Sequence, residues 1–243
     1  LTLENIVGGY GRLTVLHGAT LGVRPGTITT LIGPNGAGKS TVFKAIFGLL
    51  SISEGEIVFD GERITGAKPR DLLARGVVYI PQGRNIFPEL SVLHNLEFGG
   101  VTIKDEAILA KRIEGVLDRF PMLREKADRQ ASTLSGGEQK LLELGRGMLV
   151  EPKLMLVDEP SIGLAPLVVR RVFDELIQLR DSGVTILMVE QNARSALAIS
   201  DDALVLEQGR VALSGAAADI LDDPRVGALF LGGSLDQGAE VEV

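Results

Sequence analysis

Eight consecutive residues, Gly33-Pro34-Asn35-Gly36-Ala37-Gly38-Lys39-Ser40, have the composition of a phosphate cradle. Glycines at this spacing let backbone N–H groups turn inward around phosphate oxygens without side-chain obstruction. Lys39 brings a point charge to the terminal phosphates, Ser40 offers its hydroxyl to Mg²⁺, and Thr41 completes the nucleotide-contacting set. A second cluster, Asp158-Glu159, ends the apolar run Leu154-Met155-Leu156-Val157. Acids placed there lie at the edge where open α/β sheets bind ligands. Alone, such a pair is more often a solvated turn. Beside a phosphate cradle it suits Mg²⁺ binding through water at Asp158 and polarisation of an attacking water by Glu159. The third cluster is Leu134-Ser135-Gly136-Gly137-Glu138-Gln139. Ser135 can cap a helix, Glu138 can return the bond, and the N-terminus of that helix favours an anion. A cap alone does not explain two glycines, which weaken the start of a long helix.

These residues need elements to carry them. Short apolar runs between turn residues and longer helical patterns predict βαβ units around a mostly parallel sheet. Strands are expected at residues 1–7, 20–23 and 27–32, with Pro25-Gly26 turning between the last two. A helix from Lys39 to about Leu50 would hold the cradle at its N-terminus. Further strands fall at 55–59, turning at Asp60-Gly61, and at 76–80, ended by Pro81. The close spacing of the early strands predicts a small antiparallel layer beside the parallel core. From Gln82 to about Val150 strand signals vanish, and helical patterns at 92–98, 105–119 and 136–149 predict a helical insertion. Core strands resume at 154–157 and 184–189 around a helix at 166–180, and 203–207 with 210–213 form a closing hairpin at Gln208-Gly209. Residues from Gly232 onward are Gly-rich and acidic and are expected to fray.

A chain of 243 residues suffices for one large α/β domain, or one domain with a sizeable insertion. No run approaches the roughly 18 apolar residues of a spanning helix, and the first residues show no basic stretch leading into an apolar one. The absence of cysteine excludes disulfides, thiolate metal sites and cysteine nucleophiles, and fits a cytosolic protein. A net charge of -7 without a long Lys/Arg cluster argues against a nucleic-acid surface, and the lack of Trp against single-strand stacking platforms. His17 and His94 have no ligand-spaced neighbours and read as structural. The acids of 105–118 alternate with Lys and Arg as on a solvated helix face.

With the three clusters in register, the chain resembles the ATP-binding subunits of ABC transporters over nearly its whole length; Leu134-Ser135-Gly136-Gly137-Glu138-Gln139 matches the family's signature without mismatch. The resemblance implies one ATP-binding domain over 1–243 with an α/β P-loop NTPase fold. That fold has a mostly parallel core sheet, a small N-terminal antiparallel β layer, a helical subdomain at about 84–150 and a flexible tail at 233–243. It also implies head-to-tail dimers, each ATP lying between one chain's loop 33–40 and the partner's Ser135, Gly136, Gly137 and Glu138. Tyr10, in Gly9-Tyr10-Gly11, matches the adenine-stacking aromatic of the family. Gln82, in Ile80-Pro81-Gln82-Gly83-Arg84, matches the loop glutamine that contacts Mg²⁺ and reports nucleotide state to the membrane subunit. The implied cofactors are ATP and Mg²⁺, the latter held by Ser40, Gln82 and Asp158.

Two positions depart from the usual family pattern. Ala165, in Ser161-Ile162-Gly163-Leu164-Ala165-Pro166, stands where most members have Asp, and Gln191, in Val189-Glu190-Gln191-Asn192-Ala193, replaces the switch histidine. Gln can donate a hydrogen bond to a γ-phosphate but cannot become a cation or shuttle a proton. Both segments, with Gly83-Arg84-Asn85-Ile86-Phe87-Pro88 and the ending Phe230-Leu231-Gly232-Gly233, are similar to LivF-type ATPases of branched-chain amino-acid importers. Gln rather than Glu at position 82 is shared with urea-importer ATPases. On this resemblance Lys39, Glu159 and Gln191 are the catalytic set. The implied partners are a second ATPase subunit (a paralogue, or a second copy), two integral-membrane permease subunits and a periplasmic or extracellular substrate-binding protein. The implied place is peripheral, on the cytoplasmic face of the cytoplasmic membrane. The alternatives are an importer of urea, amides or other amino acids, a soluble ABC-type ATPase acting on nucleic acid or ribosomes, and an inert nucleotide sensor. The soluble ATPase is disfavoured by a single nucleotide-binding unit and no basic arm, and the sensor is suggested only by Ala165 and Gln191.

Overall fold

The first apolar runs fold back on each other. In the computed structural model, which describes residues 1–230, β1 (Thr2–Tyr10) pairs antiparallel with β2 (Leu13–Gly22) across Gly11, whose φ of 60° suits glycine. One face of this hairpin buries Leu3, Ile6, Leu16, Ala19 and Leu21. β2 is thus longer than the strand expected at 20–23, while Pro25-Gly26 makes the expected turn, with φ 67° at Gly26. The chain passes there into β3 (Ile28–Ile32), which lies in a second sheet. The burial patterns give the reason: β2 alternates and covers one face, whereas all five residues of β3 are buried, as in a strand covered on both faces. α1 (Lys39–Ile46) ends before the expected Leu50, because Gly48 turns the chain at φ 69°. A Cβ at Gly48 would come within 1.9 Å of the Ala67 carbonyl oxygen. β4 (Ser51–Phe59) pairs with β1 and with β5 (Glu62–Arg63), completing an antiparallel sheet ordered β2-β1-β4-β5.

A short α2 (Pro69–Ala74) leads into β6 (Val77–Ile80), after which the chain turns helical. α3 (Val92–Gly99) starts at a Ser91 cap and α4 (Glu106–Arg119) at an Asp105 cap. α5 (Pro121–Arg124) and α6 (Gly136–Met148) follow. Leu96, Ile113, Val116 and Leu142 from these helices, with Phe120 between α4 and α5, share one core with Val78, Ile80 and Met155 of the sheet, so the insertion is packed against the sheet.

The chain then alternates β7 (Leu154–Asp158), α7 (Pro166–Asp181), β8 (Thr185–Val189), α8 (Ala193–Leu197) and β9 (Asp202–Glu207). It closes with β10 (Arg210–Ala216), α9 (Ala217–Asp222) and α10 (Pro224–Phe230). The main sheet runs β10-β9-β3-β8-β7-β6, parallel except for the β9–β10 hairpin. In this order Val189 at the end of β8 pairs with Leu31 on one side and Asp158 on the other, so three strand ends and the loops after them meet at one edge. No helix among the described residues is long and apolar enough to cross a membrane. The fraying expected from Gly232 and the tail at 233–243 lie outside the described residues.

Candidate functional site

The loop 33–40 leaves β3 at that edge and opens α1. Gly33 passes so near β9 that a Cβ would stand 2.1 Å from the Leu206 carbonyl oxygen. Gly38 precedes α1 at φ 102°, a left-handed conformation that glycine takes without strain. The buried Lys39 folds back over its own loop, its Nζ donating to the carbonyls of Gly33 (2.9 Å) and Pro34 (3.1 Å). Burial lowers its pKa, an effect partly offset by the nearby carboxylates of Glu159 and Asp158. One residue on, the Ser40 hydroxyl donates to Asp158 Oδ1 at 3.3 Å.

At the end of β7, Glu159 adopts φ 48°, unusual for a residue with a side chain, while its N–H donates to the Val189 carbonyl at 2.9 Å. Its carboxylate is reached from two other loops. Gln82 Nε2 donates to Oε2 at 2.7 Å, and Gln191 Nε2 lies 3.1 and 3.0 Å from the two oxygens. Lys39, Ser40, Gln82, Asp158, Glu159 and Gln191 therefore meet in one cluster. Asp158 also accepts from the Tyr79 hydroxyl at 3.2 Å, and burial holds its pKa above the ordinary carboxylate range. Tyr79 was not among the residues singled out from sequence, because it sits inside the short buried run of β6; in the structure its ring packs against Phe43 and Phe47.

Gln82 projects from a loop that is fastened to α6. Lys140 and Glu143, both buried and 2.5 Å apart, engage the Gly83 carbonyl (3.2 Å) and the Asn85 N–H (2.6 Å) respectively. Arg146 donates to the Asn85 carbonyl and lies 4.9 Å from the centre of the Phe87 ring. Three ionisable residues spaced by three along one face of α6 were the available signal for this fastening.

Tyr10 stands apart from the cluster, half-exposed at the end of the β1–β2 hairpin, with the Lys44 ammonium 5.5 Å from its ring centre. The signature residues are also separate. Ser135 and Glu138 form a reciprocal capping box at the start of α6 (3.4 and 3.0 Å), and Glu138 pairs with Lys126 at 2.7 Å. Among the described residues, no hydrogen bond joins Ser135, Gly136, Gly137 or Glu138 to the loop 33–40 or to Glu159. Gly137 has an internal reason to be glycine, since a Cβ there would lie 2.1 Å from Val168 Cγ1 on α7. At Gly136 the nearest atom is a Leu164 methyl at 3.2 Å, and the outer side is exposed.

Residues 16–162 match the family described as ABC transporter. The chain is 40% identical to the high-affinity branched-chain amino acid transport ATP-binding protein BraG of Pseudomonas aeruginosa, over 96% of its own length and 100% of BraG. It is 38% identical to the probable branched-chain amino acid transport ATP-binding protein LivF of Archaeoglobus fulgidus, over 92% of this chain and 95% of that one. Its fold matches the crystal structure of the ADP conformation of MJ1267, an ATP-binding cassette of an ABC transporter. The TM-score is 0.87 at 32% identity, covering 96% of this chain and 98% of that chain.

Proposed function

Because the chain belongs to the ABC transporter family of ATP-binding proteins, we propose that it hydrolyses ATP on the loop 33–40 to drive import of branched-chain amino acids. The observation that carries the chemical part is the meeting of Gln82 and Gln191 on the Glu159 carboxylate, beside Lys39 and Ser40. The cargo assignment draws on the relatives' activity and on the segments around Ala165 and Gln191.

In this mechanism the N–H groups of 33–41 and the Lys39 ammonium hold the phosphates, and Tyr10 stacks on the base. Lys39 leaves the Gly33 and Pro34 carbonyls to do so, exchanging neutral acceptors for charged ones. Ser40 and Asp158 already face each other as oxygen donors, a set that fits Mg²⁺, with Gln82 as the third contributor. When bound, Mg²⁺ neutralises charge on the phosphate oxygens. Glu159 accepts a hydrogen bond from the attacking water and orients it, taking over a position that an amide now fills. Gln191, released from Glu159, donates its amide to the γ-phosphate. A neutral amide there supplies orientation without titrating near neutral pH.

The partner assignments rest on two exposed surfaces. Phe98 (54% exposed) and Val101 (75%) border a cleft of about 300 Å³ between the helical insertion and β6, suited to an apolar segment of a permease. Ile162 and Leu167 (78%) are exposed around Ala165, on the segment that would face a second ATPase subunit, here proposed to be a paralogue. With both partners in place, the chain sits peripherally on the cytoplasmic face of the membrane and serves a substrate-binding protein on the other side.

Uptake assays in cells lacking this chain test the assignment. Leucine, isoleucine and valine uptake should fall to background and return when the chain is restored. Loss of urea uptake alone, with leucine uptake intact, would replace the cargo; no change in any uptake would remove the transport role.

A further inference from the structure

We infer that Glu190 is a positioning residue that fixes the backbone of Gln191, and so aims its side chain at the γ-phosphate end of the site, by tying it to the segment that begins at Ser161. The inference rests on the proposed role of Gln191 at the γ-phosphate. Glu190 follows the last residue of β8 and is only 1% exposed. Among the described residues no Lys, Arg or His forms an ion pair with it. Its charge is met by three uncharged donors instead: the Ser161 N–H at 2.8 Å on Oε1, and the Ser161 hydroxyl at 2.8 Å and the Gln191 N–H at 3.2 Å on Oε2. A carboxylate buried without a cation is costly unless its lone pairs are satisfied, so these bonds hold the two loops together.

The bonds close a ring. From Glu159 the chain runs two residues to Ser161, which bonds to Glu190; the next residue, Gln191, returns through its side chain to Glu159. A second strut crosses the ring where the Glu159 N–H meets the Val189 carbonyl. Ser161 also opens the segment running to Ala165, which begins α7 without a side-chain cap. Glu190 is therefore the side chain that anchors this segment, and a shift there is transmitted to the Gln191 backbone through a single carboxylate.

Burial as a purely structural acid would predict lost stability without a specific kinetic effect. The ring predicts a kinetic effect that depends on Gln191. Glu190→Gln keeps the shape, but an amide cannot accept from all three donors, so one N–H loses its acceptor. In the full chain assembled with its transporter partners, Glu190→Gln should lower kcat about tenfold, leaving KM for ATP nearly unchanged and lowering the thermal midpoint by no more than a few degrees. Ser161→Ala, which removes one of the three donors, should lower kcat about twofold to threefold. In a Gln191→Ala background, itself slowed, Glu190→Gln should have less than about a twofold further effect. Persistence of the full drop in that background overturns the inference while leaving the role of Gln191 standing. Wild-type kcat for Glu190→Gln, or a raised KM at unchanged kcat, also overturns it. If Gln191→Ala alone turns over normally, the reading of Gln191 fails and the inference falls with it.

Discussion

Around Glu159 hydrogen bonds close inward from two loops, whereas around Ser135 the helix end is capped on itself and faces outward. Both regions favour anions through backbone N–H groups at a helix start. They differ in what completes them. The Glu159 region already holds its charged groups buried and paired, so nucleotide entry must exchange internal bonds for external ones. The Ser135 region keeps its cap and offers Gly136 to the outside, so it gains contacts without losing any. The contrast fits a division in which one end performs the chemistry and the other completes a site on another chain.

The largest expected effect lies at the inward-facing end. Glu159→Gln should lower ATP turnover by at least about 100-fold while nucleotide binding, measured with a fluorescent ATP analogue, remains. Hydrolysis at the normal rate would remove Glu159 from the chemistry and undo the contrast. At the outward-facing end, Ser135→Arg should leave the isolated chain's ATP affinity within about twofold, yet abolish ATP-dependent association with the second ATPase subunit. A tenfold loss of affinity in the isolated chain would place the signature in its own site. The two signature glycines should then separate. Gly137→Ala pushes a methyl into Val168 and should lower stability by about 1–3 kcal/mol in denaturant melts, while Gly136→Ala should fold with normal or slightly raised stability. Equal destabilisation by both would show that packing alone explains the pair. The smallest effect concerns Glu138. The carboxylate is partly buried, which acts to raise its pKa, but Lys126 and the Ser135 N–H outweigh this and hold it below the ordinary value of 4.5. Its contribution is therefore present above that value and lost as the pH falls through the folded pKa. Melts of Glu138→Gln and the unchanged chain should differ by no more than about 1 kcal/mol at pH 7 and converge in acid.

The three clusters were legible in the sequence because each is contiguous and sits where a strand ends or a helix begins. Gly33 to Ser40, Asp158-Glu159 and Ser135 to Glu138 fall at such junctions; the parallel core follows from short apolar runs alternating with helical patterns, and the antiparallel layer from the close spacing of the early strands. β2 was hidden because His17 and Gly18 interrupt its alternation, and α2 and α8 because six and five residues are too few for a helical period to show. The supporting residues were hidden for a different reason. Tyr79, Lys140, Glu143 and Glu190 act through partners distant in sequence, and only the fold brings Tyr79 to Asp158 or Glu143 to Asn85. Glu190 carried a usable hint, an acid directly after an all-apolar strand.

The fastening of residues 83–85 to α6 has a consequence for timing. Ser135 and Glu143 ride on one uninterrupted helix, roughly 12 Å apart at 1.5 Å per residue. The first turn that would meet another chain's nucleotide and the loop that presents Gln82 to this chain's own Glu159 are thus mounted on a single shaft. A tilt imposed at one end is delivered to the other in the same movement, with no separate relay to fall out of step. Two such chains facing each other would run in phase, each one's readiness set by what the other holds.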